Sequence, residues 1–544
     1  MIISTIALSV ATLESVIEDT RGSIDKEIDL LKRSELGQFM TNWKIAKFMS
    51  SLMNCNILDT TLPTRILDPG AGIGSLSAAL VERISSENKS NIRIEVDTYE
   101  IDPIMRKGLK NTSALLESSY SCKHIINEKD FIETAVAILA PSLEDCHDEI
   151  EGYDFVILNP PYKKILGTSA YRQLLRLAGI ETTNLYTAFW QLSIRLAKPG
   201  AQICSIVPRS FCNGTYFKLF RQYLMSSTDI NQIHVFDSRK DAFSDNDVLQ
   251  ENVIICSTKR ESPNASSDKK VIVSSSANDT FSDIKLLTLK LFQVWGEAPD
   301  RFLYIPTSTE SLKVVEIVNS LPSSLVELGL KVSTGPVVQF RLKSSLSFDG
   351  GVPMLYCSSM TKGKASQKLE SRKSPQYIEL NKQSEKCLVP NSCYLIVRRF
   401  SSKEEKRRIV CAIYEPNSQD LNSESLGIDN KLNYFYSING ALTAELAYGL
   451  YVFLSSTLVD KYYRLVSGHT QINSGDLRSL RYPSHLALIG VGRKYMRDFS
   501  SLQQKIDDAA ALFFTNNQNL SSPTRVTSTK NMISYTDKHT FNAA

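Results

Sequence analysis

Four residues, Asn159-Pro160-Pro161-Tyr162, close an apolar run, Phe155-Val156-Ile157-Leu158. A buried strand that stops in this tetrapeptide builds a small pocket for a planar amine. The Asn159 side-chain oxygen and the Pro160 carbonyl can both accept from one NH2 group. Pro161 fixes the turn, because its ring locks φ and it carries no N–H. Tyr162 offers a face for stacking. Such groups suit methyl transfer to an exocyclic amine. Any four residues recur by chance, and the motif gains weight from a glycine-rich loop about 90 residues upstream, in the order a cofactor-then-target layout requires.

That loop is Asp68-Pro69-Gly70-Ala71-Gly72-Ile73-Gly74, between a strand expected at Arg65–Leu67 and a helix opening at Ser75. Alternate glycines let the backbone turn sharply and approach a ligand. A dinucleotide site competes for this pattern. Asp68 separates the two readings: a carboxylate at the strand end repels a pyrophosphate and suits the ammonium of a methionine moiety, which points to S-adenosylmethionine. The next strand, Ile92–Tyr99, ends in Glu100-Ile101-Asp102-Pro103. Glu100 there can accept from both ribose hydroxyls, with an ordinary helix cap as the competing reading. Asp130-Phe131 suits the adenine amine and ring, or equally a helix cap. Upstream, Gly37-Gln38-Phe39-Met40-Thr41 precedes the apolar helix Ile45-Ala46-Lys47-Phe48-Met49. Thr41 either caps that helix and meets the methionine carboxylate at its N-terminus, or is a plain cap with a buried face.

These groups need elements to hold them. A chain of 544 residues is too long for one core, so two domains are expected. Residues 1–31 read as an amphipathic helix. Residues 32–260 alternate short apolar strands with helical stretches, which implies an α/β fold with a mostly parallel sheet. Strands are expected at Arg65–Leu67, Ile92–Tyr99, Phe155–Leu158, Gln202–Val207, Ile233–Phe236 and Val253–Cys256. Helices are expected at Ser75–Ile84, Leu185–Leu196 and Tyr216–Met225. Residues 261–299 begin rich in Ser, Asn and Asp and read as a linker. From 300 to 514 the pattern turns to short β pieces, such as Cys393–Phe400 and Ile409–Tyr414, with basic loops and a long helical stretch, Ala441–Tyr463. Residues 515–544 read as a polar tail.

Composition excludes little: 42% hydrophobic and 22% charged residues are ordinary, and a net charge of +4 neither requires nor forbids DNA. None of the ten cysteines forms C-x-x-C, and no His stands at zinc-finger spacing, so no metal is expected. Scattered thiols suit a reducing cytosol. The apolar start, Met1–Val10, lacks a basic flank and is followed by Glu14, Glu18 and Asp19, as in a helix and unlike a signal peptide. No apolar run nears the roughly 20 residues of a membrane span.

In this order the motifs resemble the amino-group DNA methyltransferases of the γ arrangement, and more narrowly the BsuBI/PstI-type modification methylases. The specific match covers 32–260. It continues more loosely through Val332–Val338, Arg398–Glu405 and Ser467–Asn473. Asn42 departs from the pattern, which has Pro after the Thr, so a looser helix start is expected there. The resemblance implies a Rossmann-like S-adenosylmethionine-dependent domain followed by a mixed α+β target-recognition domain. It also implies an adenine flipped out of double-stranded DNA and methylated at N6. Tyr162 would stack on one face of that base and Phe243 on the other, with Phe236 as the competitor. Asn159, Pro160, Tyr162 and Phe243 form the expected catalytic set. Thr41, Asp68, Gly70, Gly72, Gly74, Glu100, Asp130, Phe131 and Asn159 form the expected cofactor set.

Other readings stay open. The same tetrapeptide serves N4-cytosine, RNA and protein-glutamine amines. C5-cytosine chemistry needs a Cys after Pro, and the chain has no Pro-Cys step. A fold that only binds DNA is disfavoured by intact Asp68, Glu100 and Asn159. The basic loops at Lys362, Lys364, Lys368, Arg372 and Lys373, and at Lys403, Lys406, Arg407 and Arg408, favour DNA over RNA or protein. About 30 residues precede the first motif, too few for a nuclease, so a cognate restriction endonuclease is expected as a separate chain. The enzyme is expected to be a cytoplasmic monomer.

Overall fold

Apolar strands that alternate with amphipathic helices must bury both sheet faces, and the first half of the chain does so around a nine-stranded sheet. The computed structural model describes residues 12–27, 40–55, 61–88, 92–139, 151–236, 251–262, 269–296, 302–367, 375–401, 405–416, 423–468 and 470–514. Gly37–Phe39, Phe243, the second basic loop's Lys403, Lys368–Lys373, His469 and the polar tail lie outside them. The chain divides into two units near Phe302, with Cys212–Thr215 counted in the second.

In the first unit, helix α1 (Leu13–Glu27) and helix α2 (Trp43–Ser51) precede β1 (Thr64–Pro69). There follow α3 (Ser75–Glu87), β2 (Ile94–Tyr99), α4 (Pro103–Ser119), β3 (Cys122–Asn127), α5 (Phe131–Leu139) and β4 (Tyr153–Leu158). Next come α6 (Ala170–Leu177), α7 (Leu185–Leu196), β5 (Ala197–Pro208), α8 (Lys218–Ser227), β6 (Thr228–Phe236) and β7 (Asn252–Lys259). Strands β8 (Lys270–Ser276) and β9 (Lys285–Lys290) complete the sheet. Its order is β3-β2-β1-β4-β5-β7-β6-β8-β9. The first five strands run parallel; β7 is antiparallel to both neighbours, and β9 is antiparallel to β8.

Two consequences matter for the site. The strand order turns at β1, which lies between β2 and β4, so a crevice opens at the carboxyl ends of these strands. The β1–β4 register, Ile66 with Phe155 and Leu67 with Val156, then brings the end of β1 and the end of β4 side by side. The glycine loop and the Asn-Pro-Pro-Tyr turn are therefore neighbours, although they are far apart in sequence.

Three expectations are corrected. Residues 261–299 are no simple linker: β8 and β9 extend the sheet, and the Ser-rich end of β8 is buried. His234 Nδ1 and Nε2 meet Ser274 Oγ and Ser276 Oγ at 2.8 and 3.1 Å, so a neutral imidazole satisfies the buried hydroxyls. Helix α2 is not loose at its start. Asn42 is its cap, accepting from Ile45 N at 2.9 Å and donating to Asp279 Oδ2 at 2.7 Å. Thr41, expected as the cap, stands one residue before it.

The second unit carries a six-stranded sheet in the order Leu330–Thr334, Leu432–Ser437, Tyr394–Arg398, Cys411–Tyr414, Lys364–Ala365, Met360–Thr361. One face packs on helices that include Ala444–Ser455 and His485–Arg497. The other packs on a five-stranded sheet through Leu355, Ile396, Tyr414 and Ile428. The mixed α+β expectation fits this unit. The single helix expected at Ala441–Tyr463 is two, Ala444–Ser455 and Thr457–Val466, broken at Ser456, whose extended backbone and side chain cap the second. Two residues of the second basic loop, Arg407 and Arg408, are packed into the fold. Arg408 is 1% exposed with its guanidinium 5.7 Å over the Tyr463 ring, and Arg407 donates to Thr457 Oγ1 at 2.7 Å and pairs with Asp460. Arg398 pairs with Glu405. Among the described residues no helix is long and apolar enough to cross a membrane.

Candidate active site

The loop after β1 works because all three of its glycines have positive φ: 76° at Gly70, 58° at Gly72 and 84° at Gly74. Residues with a Cβ avoid this region. The Gly70 and Ala71 N–H groups both donate to the Tyr99 carbonyl, at 2.8 and 3.0 Å, which fastens the loop to the end of β2. A Cβ on Gly74 would stand 2.8 Å from Leu109 Cδ1, whereas one on Gly72 would project into open space. The missing side chain at Gly72 thus leaves open space beside the loop.

Glu100 sits across from that loop. Its Oε2 accepts from Gly72 N at 2.9 Å and its Oε1 from Asp102 N at 2.8 Å. Each oxygen keeps a second lone pair for a ligand hydroxyl. The cap of α4 is Asp102, so Glu100 is left for the cavity. Burial pushes the Glu100 carboxyl up to about 7. Asp68 is fully buried beneath the loop and does not line the cavity. Its Oδ2 accepts from Ser77 N at 3.2 Å, while Oδ1 has no partner among the described residues. Burial, helped by the charge of Glu100, raises it to about 7. An orphaned carboxylate oxygen at that depth calls for a cation or donor above it.

The end of β3 supplies the third wall. Asp130 caps α5, its Oδ1 accepting from Glu133 N at 3.1 Å, and its Oδ2 accepts from the Tyr171 hydroxyl at 2.7 Å. Asp130 thus caps a helix and also lines the cavity. Phe131 packs edge-on to Tyr99, with centroids 5.2 Å apart, and tilted on Phe189 at 5.0 Å.

The Asn-Pro-Pro-Tyr turn closes the site. Asn159 Nδ2 donates to Thr41 Oγ1 at 3.0 Å, which orients the amide. The Tyr162 hydroxyl lies 2.8 Å from Asn159 Oδ1 and 3.1 Å from the Ile206 carbonyl. Burial raises that hydroxyl far above the usual phenol range, so it stays a donor. Tyr162 also meets Tyr186 edge-on at 6.2 Å. Pro161 and Phe189 come within 3.7 and 3.6 Å of the place a Gly70 Cβ would occupy, so the turn, the loop and α7 converge.

These walls enclose a cavity of about 370 Å³. Of the expected site residues, Thr41, Gly70, Gly72, Glu100, Asp130, Phe131 and Asn159 line it. Gly74 and Asp68 support it from behind. Phe236 is no part of it; its ring packs against His234 and Phe281. Sequence reasoning missed Tyr99, Lys129, Lys163, Lys164, Tyr171 and Phe189, all of which line the cavity. Their positions within strands, helices and turns carry no local signal. Carboxylates at two walls, aromatic rings beside them and open space at Gly72 suit a nucleoside-sized ligand with vicinal hydroxyls.

Comparison with known proteins adds a family. The model described as Eco57I restriction-modification methylase matches residues 24–243. The Type II methyltransferase M.BsuBI of Bacillus subtilis is 40% identical over 479 residues, 87% of this chain and 93% of that protein. M.PstI of Providencia stuartii, also a Type II methyltransferase, is 37% identical over 509 residues, 91% and 96% of the two chains. Among solved structures, the type IIG restriction endonuclease BpuSI shares 16% identity at a TM-score of 0.41, over 92% of this chain and 67% of that one.

Proposed function

Because the chain belongs to the Type II restriction-modification methyltransferases, we propose that it methylates the N6 amine of an adenine within a defined double-stranded DNA sequence. The cofactor in this reading is S-adenosylmethionine, which supplies an activated methyl group. Glu100 takes the ribose hydroxyls, Asp130 and Phe131 the adenine, and the open space beside Gly72 the methionine end, with the orphaned Asp68 oxygen behind the loop drawing the ammonium.

One observation carries the reading of the reaction: Asn159, at the cavity wall, is held by Thr41 with its carbonyl oxygen turned toward Tyr162. An adenine amine is a poor nucleophile because its lone pair is delocalised into the ring. Asn159 Oδ1 and the Pro160 carbonyl accept its two hydrogens, draw the nitrogen toward sp3 geometry and localise that pair. Among the described residues no group donates to the Pro160 carbonyl, which leaves it for the substrate. Once methylated, the nitrogen sheds an acidic proton to water, so the residues act by positioning. Burial of the flipped base rests on Tyr162 and Phe243. The second unit is read as the target-recognition domain, and the methyl mark as protection against a separately encoded endonuclease.

Single-molecule sequencing of DNA from cells expressing the chain tests this. Methylated adenine at one recurring sequence is the expected result. N4-methylcytosine in place of N6-methyladenine, or unmodified DNA from cells making folded protein, would overturn it.

A further inference from the structure

Tyr171 is the second residue of α6 and lies close to the Asn-Pro-Pro-Tyr turn in sequence, yet its hydroxyl reaches the opposite wall of the cavity. It donates to Asp130 Oδ2 at 2.7 Å, while Asp130 Oδ1 is taken by Glu133 N. Two protein donors thus fix the rotation of this carboxylate, and each oxygen retains one lone pair for a ligand. Lys163, Lys164, Ile165 and Leu166, which follow the turn, line the same cavity, so this segment joins the target side to the purine side. Burial, with the Asp130 carboxylate adding to it, raises the Tyr171 hydroxyl far above the usual phenol range, so it donates at every working pH. Helix α6 has other anchors: Leu175 is buried, and Arg172 pairs with Glu181. Loss of one hydroxyl leaves the helix in place.

We propose that Tyr171 is a positioning residue for the cofactor: its hydroxyl holds Asp130 in the orientation that accepts from the exocyclic amine of the bound purine. The proposal rests on the S-adenosylmethionine reading above. A structural role alone would affect any nucleoside equally, whereas a role through Asp130 depends on the ligand's amine.

The test is calorimetric titration of the full-length protein with S-adenosylhomocysteine and with its analogue carrying purine in place of adenine, which lacks the amine. Tyr171→Phe should weaken S-adenosylhomocysteine by about tenfold, as expected for one hydrogen bond to a carboxylate. The same variant should weaken the analogue by less than about twofold, and in an Asp130→Asn background it should have no further effect on either ligand. Equal losses on both ligands, or none on either, would overturn the proposal. Wild-type protein that binds neither ligand would instead sink the cofactor reading on which the proposal rests.

Discussion

Tyr162→Phe removes one hydroxyl and keeps the ring, so it separates orientation from stacking. The hydroxyl lies within reach of Asn159 Oδ1 at 2.8 Å and the Ile206 carbonyl at 3.1 Å. It has one proton and can serve only one of them fully at a time. The variant therefore loses one net hydrogen bond, worth about 1 kcal/mol, and leaves a part-buried acceptor short of a donor, for about 1 kcal/mol more. Asn159 keeps its tether to Thr41 and loses the Tyr162 hydroxyl that also orients its amide. The expected loss in the methyl-transfer rate is roughly 5- to 30-fold, at about 1.4 kcal/mol per decade. Affinity for S-adenosylhomocysteine should not change, because Tyr162 does not line the cofactor cavity. Tyr162→Ala should lose a further 1–3 kcal/mol or so of base stacking. Single-turnover transfer at saturating duplex, beside cofactor titration, measures both. A Tyr162→Phe rate equal to wild type, or a loss matched by weaker cofactor binding, would refute the reasoning.

Burial holds Glu100 near 7 in the free protein, and ribose hydroxyls require its carboxylate form. Binding below that pH must expel a proton, so the affinity for S-adenosylhomocysteine should fall as pH drops from 8 to 6, and Glu100→Gln should lessen that dependence, leaving the share contributed by buried Asp68, which burial also raises to about 7; a profile in the variant as steep as that of the wild type would contradict the assignment. Gly74→Ala combines positive φ with a Cβ 2.8 Å from Leu109 Cδ1, while Gly72→Ala meets only the positive φ. Thermal melts should show the larger loss at Gly74, and about 1–2 kcal/mol at Gly72, whereas cofactor titration should show Gly72→Ala impaired well beyond its stability. Phe243→Ala should reduce the fluorescence change of 2-aminopurine placed at the target position. Phe236→Ala should instead lower stability, because its ring packs on His234 and Phe281; the reverse pattern would reassign the second stacking residue.

Much of the site was legible because its residues sit at strand ends, where sequence order and pocket position coincide. Asp68 is the penultimate residue of β1, and Glu100, Asp130 and Asn159 each follow a strand of the parallel half. What failed had physical causes. Thr41 and Asn42 are both good caps, and the backbone conformation alone decides between them: Asn42, at φ −71° and ψ 159°, takes the role. The Ser-rich stretch before Asn278 looked like a linker, yet Ser274 and Ser276 are buried because His234, held near 3 by its own burial, stays neutral and bonds both. Arg408 reads in sequence as part of a basic loop that favours DNA, but its long side chain is buried over Tyr463. The break at Ser456 has neither Gly nor Pro to announce it. Tyr171 and Phe189 join the site only through tertiary folding.

The most direct measurement is nucleoside analysis by mass spectrometry after the purified chain has acted on duplex DNA with S-adenosylmethionine. N6-methyladenine is expected from the wild type, and from Asn159→Ala at saturating cofactor a rate at least about 100-fold lower, since losing an oriented acceptor costs a few kcal/mol in the transition state. N4-methylcytosine as the product, or N6-methyladenine formed undiminished by Asn159→Ala, would contradict that expectation.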